Sequence, residues 1–80
     1  MPLQKRWESL DRRVVGKAPN RYGVVEFGDG SGTVLAIETG VLRDVLKEAV
    51  AYGDYAQVRW QAAQDRAHAD RLADEHRDRL

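Results

Sequence analysis

The chain has no cysteine among its 80 residues, which excludes disulfide staples, thiolate catalysis and zinc–thiolate sites. It also lacks net charge, with 13 basic and 13 acidic side chains. That balance argues against a dedicated nucleic-acid or membrane electrostatic binder, although a local basic patch is still open. Long apolar runs are missing, and the longest span only a few residues, against the roughly 20 that cross a bilayer. No basic and apolar leader pattern follows Met1, so a cytoplasmic protein without membrane attachment is expected. Eighty residues suffice for one domain with one core.

What charge there is lies unevenly. Residues 1–20 hold five basic and two acidic side chains, whereas residues 21–61 hold four and six and residues 62–80 hold four and five. In the positive segment Leu3, Trp7, Leu10 and Val14 fall at spacings of four, three and four, the stripe of an amphipathic helix over residues 1–17. Pro2 suits its first turn, and Gly16 with Pro19 ends it. From Arg21 to Glu38 the pattern changes. Two short apolar runs, Tyr22 to Phe27 and Thr33 to Ile37, flank Gly28-Asp29-Gly30-Ser31-Gly32, whose glycines readily supply the positive φ of a hairpin turn. This turn is no phosphate loop, because it lacks the Lys-Ser/Thr of a Walker motif and no helix starts directly after it.

Thr39 is placed to cap a second helix whose Val41, Leu42, Val45, Leu46, Ala49 and Val50 share one face, with Gly53 as its stop. Tyr55 to Gln61 alternates as a strand, with Ala56, Val58 and Trp60 on one side and Tyr55, Gln57, Arg59 and Gln61 on the other. Asp65 caps a last helix that carries Ala69, Leu72, Ala73, His76 and Leu80 on one side. The expected fold is an α+β sandwich, a three-stranded, mostly antiparallel sheet packed with three helices in the order α-β-β-α-β-α. It forms a single domain, with the first helix over 1–17 and a β-β-α-β-α core over 18–80.

Pro19 followed by Tyr22-Gly23-Val24-Val25, a Gly/Asp turn, Val34-Leu35-Ala36-Ile37-Glu38 and then Leu42-Arg43-Asp44-Val45-Leu46 resembles the GIY-YIG nuclease superfamily over roughly residues 18–79. The resemblance implies that family's fold, but its catalytic positions are eroded. Val25 and Ala36 stand where the two motif tyrosines fall, Val45 where the arginine falls, and Ala73 where the metal-binding glutamate falls. Arg43 stands two residues before the arginine position as an imperfect substitute. Phosphodiester hydrolysis needs a nucleophile activator, a cation for developing charge and a carboxylate-held divalent metal. Asp70 or Asp74 alone does not replace these. The resemblance therefore implies a catalytically inactive member with no metal and no cofactor, and a residual nuclease is its least favoured reading.

Other features have bland readings. His68 and His76 are eight residues apart, which is not the i, i+4 spacing of helical two-histidine metal sites. A solvated His68 and a rim-packed His76 are expected. Trp7 and Trp60 belong to apolar stripes and read as core packing before base stacking. Tyr55 shares its strand face with Arg59, a modest hint of ligand binding. Lys5, Arg6, Arg12, Arg13 and Lys17, joined by Arg21, form the best candidate for weak, salt-dependent nucleic-acid binding. Their bland reading is a solvated face partly neutralised by Glu8 and Asp11. An apolar sheet face at Val25, Phe27, Val34 and Ala36 must be covered, either by the first helix through Trp7 and Leu10 or by another chain. Binding to a protein partner or to a second copy is thus the leading expectation.

Overall fold

The glycine-rich turn joins the two apolar runs beside it into an antiparallel hairpin in the structure, a computed structural model that describes residues 7–53 and 55–78. In chain order the elements are β1 (Glu8–Ser9), α1 (Arg12–Lys17), β2 (Tyr22–Gly28), β3 (Val34–Val41), α2 (Leu42–Tyr52), β4 (Gln57–Ala62) and α3 (Arg66–Asp78). The strands make one antiparallel sheet in the order β1-β4-β2-β3. The α+β class, the three helices and the hairpin follow the sequence pattern; the fourth strand does not.

That strand comes from the segment expected to be helical. Leu3, Lys5 and Arg6 lie outside the described residues. Within them, Glu8 and Ser9 pair with Val58 and Gln57, and Leu10 N–H donates to the Ala56 carbonyl at 3.2 Å. The helix begins only at Arg12, because the Asp11 carboxylate accepts from the amides of Arg13 (2.9 Å) and Val14 (3.3 Å). Such a cap fixes a helix start, so the periodicity across 7–14 is shared between a strand and a helix.

β2 is the middle of the sheet and is covered on both faces, which is why its apolar run is nearly continuous. On one face Val25 and Phe27, with Val58 and Trp60, meet Val14 and Ala18 of the α1 segment and Leu42, Leu46 and Ala49 of α2. On the other face Val24 and Glu26 lie beneath α3, whose buried residues are Ala69, Ala73 and His76. The apolar face that needed covering is therefore covered by the chain's own helices. Gly23 and Gly40 pair across β2 and β3. A Cβ on Gly23 would stand 2.7 Å from Leu42 and one on Gly40 would stand 2.9 Å from Val45, so the pair lets α2 start directly against the sheet.

At the tip, Asp29 closes the turn. Its carboxylate accepts from Ser31 Oγ (2.8 Å), the Ser31 amide (2.9 Å) and the Thr33 amide (3.0 Å). The Ser31 hydroxyl, then the Thr33 amide, hold its pKa below the ordinary 3.8. Gly32 takes the positive φ, +89°. Thr39 does not cap α2. The N-cap residue is Val41 without a side-chain bond, and Leu42 N–H instead donates to the Arg21 carbonyl at 2.8 Å. Thr39 Oγ1 donates to Asp70 of α3 at 3.1 Å. Gly53 ends α2, as expected, with its amide on the Ala49 carbonyl. Asp65 accepts from the His68 amide at 2.8 Å, and His68 Nδ1 in turn accepts from the Gln64 amide at 3.0 Å. This reciprocal arrangement fixes the start of α3 and gives His68 a capping role in place of plain solvation.

Candidate functional site

The long edge of the sheet is β3, and its backbone phase can be read from its ends. Leu42 N–H donates to Arg21 C=O on the β3 side of the ladder, and Ala63 N–H donates to Tyr22 C=O on the β4 side. Hydrogen-bonded and non-bonded pairs alternate in an antiparallel ladder. Gly40, Glu38 and Ala36 therefore turn their peptide groups toward β2, while Val41, Thr39 and Ile37 turn theirs outward. The Ile37 carbonyl agrees, since it accepts from the Arg77 guanidinium at 3.1 Å. Among the described residues no hydrogen bond reaches the outward backbone groups of Thr39. Leu35 is the extra residue of a bulge between the Phe27–Ala36 and Gly28–Val34 pairs and is 52% exposed. A bulge twists an edge and limits how far another strand can follow it.

Beside this edge, between β3 and α2, lies a groove of about 330 Å³. Glu38 and Glu48 supply carboxylates, Val45 and Ala49 an apolar floor, and Tyr52 and Tyr55 its aromatic end. Tyr52 is 87% exposed. On the opposite side of the strand, α3 brings Asp70, which accepts from Thr39, and Asp74, which pairs with Arg77 at 3.5 Å. Exposed backbone groups flanked by carboxylates and an open tyrosine can hold an extended chain; among the described residues no group of three metal-ligating side chains is gathered.

A second cluster lies on the α3 side of the sheet. Glu26, fully buried in the middle strand, accepts from Arg59 Nε at 2.6 Å through Oε1. Its Oε2 faces His76 Nδ1 at 3.2 Å. The Arg59 guanidinium lies 4.0 Å from the centre of the Trp7 ring, a cation–π stack. Trp7 in turn rests against Gly28, where a Cβ would come within 2.7 Å of its ring. His76 is therefore buried beside Glu26, its Nδ1 and the Glu26 Oε2 making no hydrogen bond among the described residues, and is not a rim residue. Trp7 is half-buried over Arg59 and does not share the Leu10 face; Trp60 is in the core, as expected. Glu26 was not singled out in the sequence, although a carboxylate inside an apolar strand was the signal for it.

The remaining candidates disperse. Val25, Ala36 and Val45 face the α2 side, whereas Ala73 is buried under α3 on the other, so these four do not line one cleft. Arg43 donates to the Ala18 carbonyl at 3.1 Å. Tyr55 stacks on Phe27, with centroids 4.7 Å apart, and so belongs to the face opposite Arg59. Of the basic set, Lys17 pairs with Glu8 at 3.0 Å and Arg21 donates to the Ala63 carbonyl at 3.0 Å. Arg12 and Arg13 are exposed, and Arg12 borders a separate groove of about 360 Å³ with Val15, Lys47, Val50 and Ala51. Among the described residues no helix is long and apolar enough to cross a membrane.

A domain of unknown function, DUF7508, matches over residues 1–79. No curated protein and no solved structure matches the chain.

Proposed function

We propose that this chain, which belongs to the DUF7508 family, is a non-catalytic cytoplasmic domain that acts by binding a protein partner at the outer edge of β3. The observation that carries this reading is the outward backbone at Thr39, without a hydrogen-bond partner among the described residues, beside the groove with the exposed Tyr52. An edge of this length is a template for strand pairing unless something covers or blunts it. Among the described residues the opposite edge strand, β1, is only two residues long. The absence of catalysis in this reading follows from the side chains available. Val25, Ala36, Val45 and Ala73 provide no proton acceptor, cation or metal-ligating oxygen at the positions the GIY-YIG resemblance marks. The basic set offers less for a nucleic-acid reading, because Lys17 and Arg21 already have partners within the chain.

Photo-crosslinking at Leu35 in the living host tests the reading. A benzophenone side chain at Leu35 is expected to give discrete adducts of one mass, reduced when Thr39 is replaced by proline. The same group at Glu75, exposed on α3, gives none. Proline is tolerated at outward-facing edge positions, and a thermal melt confirms that the variant folds. Identical adduct patterns from both sites, or none from Leu35, overturn the proposal.

A further inference from the structure

We infer that the occupant of the β3 edge is an extended, basic peptide segment of another protein, added to the sheet as a fifth strand; this rests on the binding reading above. Strand addition takes its affinity from main-chain hydrogen bonds and its specificity from alternate side chains that fall on the two faces of the sheet. Both faces beside this edge are acidic. Side chains falling toward α2 meet Glu38 and Glu48 above Val45 and Ala49, with Tyr52 at the end. Side chains falling toward α3 meet Asp70 and Asp74. Lysine or arginine at alternate positions suits either face, because its methylene stem covers apolar surface while its charged head reaches the carboxylates. The tyrosine ring gives the same head a cation–π surface.

Among the described residues, Lys47 lies beside Glu48 and Tyr52, and on the α3 side Arg77 already pairs with Asp74 and donates to the Ile37 carbonyl. Arg77 holds one outward acceptor of the edge in the absence of a partner, and a partner amide takes its place there. The bulge at Leu35 and the turn of the chain into α2 at Leu42 bound the added strand, so the match is short and its register is set at Thr39. Charge also selects against a second copy. Antiparallel pairing of β3 with itself gathers two sets of Glu38 and Glu48 at one seam, and facing like charges destabilise a strand pair.

The test uses three fluorescein-labelled decapeptides: alternating Lys-Val, alternating Glu-Val, and Lys-Val with N-methylated backbone amides. Their anisotropy is measured against the full chain at low and high salt. The Lys-Val peptide is expected to bind, and to weaken at high salt. The combined Glu38→Lys and Glu48→Lys variant, changed at two exposed positions, is expected to bind it at least about tenfold more weakly. The N-methylated peptide is expected to show no saturable binding. Equal binding of Glu-Val overturns the basic assignment, and equal binding of the N-methylated form overturns strand addition. A concentration-dependent dimer whose contact is β3 overturns the choice of occupant. Adducts at Leu35 without any Lys-Val binding overturn this inference while leaving the edge as the binding surface; loss of both removes the reading on which it rests.

Discussion

Replacing Arg59 with methionine is expected to destabilise the domain by about 3–5 kcal/mol, the range for breaking a buried ion pair from one side. The reason is the position of Glu26. It lies in the middle strand with no exposure, and its two oxygens face Arg59 and His76. Removing the guanidinium leaves a carboxylate in an apolar interior and also removes the cation beneath Trp7. A chain of this length typically has about 4–12 kcal/mol of stability in all, so the variant stands near the edge of folding. Replacing both members, Glu26→Met with Arg59→Met, is expected to lose much less than the single change, because no unpaired charge is then buried. Urea titrations of the two single variants and the double variant measure this coupling. A double variant as unstable as the sum of the singles contradicts this account of the cluster.

Phe27→Ala is expected to have a comparable effect, about 3–5 kcal/mol. The ring is fully buried, stacks on Tyr55 at 4.7 Å and 17°, and sits among Val58 and the α2 core residues. Truncation removes its transfer free energy and leaves a cavity between the sheet and α2. Phe27→Leu keeps much of the volume and is expected to lose less than about 1.5 kcal/mol if the site repacks. Leu35→Ala, at the exposed bulge, is expected to change stability by no more than about 0.5 kcal/mol. The contrast separates residues that hold the fold from residues available to a partner. Thermal and chemical unfolding of the three variants checks it, and an order in which Leu35→Ala is the most damaging contradicts it.

Much of the fold was legible in local pattern. The Asp29 turn, the apolar stripe of α2, the alternation through Val58 and Trp60, and the Asp65 cap each depend on residues a few positions apart. The N-terminal segment misled because apolar residues that fit one helical period serve different neighbours. Leu10 and Val14 join the core, Trp7 crosses to Arg59 on the other face, and Leu3 lies outside the described residues. Thr39 misled for a similar reason. Its spacing suits a helix cap, but β3 runs on through Val41, and the hydroxyl turns instead to Asp70. The buried cluster was illegible for lack of any local signal, since Glu26 and Arg59 are 33 residues apart and only the strand register places them together. The candidate edge was hidden likewise. Nothing in residues 34–41 says that β3 lies outermost and β2 in the middle, and that order decides which amides are open.

Amide hydrogen exchange of the isolated protein, read residue by residue by NMR, tests the openness of that edge most directly. The register predicts alternation along β3, with fast exchange at Ile37 and Thr39, whose amides face outward, and slow exchange at Glu38 and Gly40, which face β2. Addition of the strand-forming partner is expected to slow the outward amides, Ile37 and Thr39 among them, and to leave Glu38 and Gly40 unchanged. Uniform protection from Ala36 to Gly40 in the isolated protein would mean that the edge is already paired, and would contradict the account.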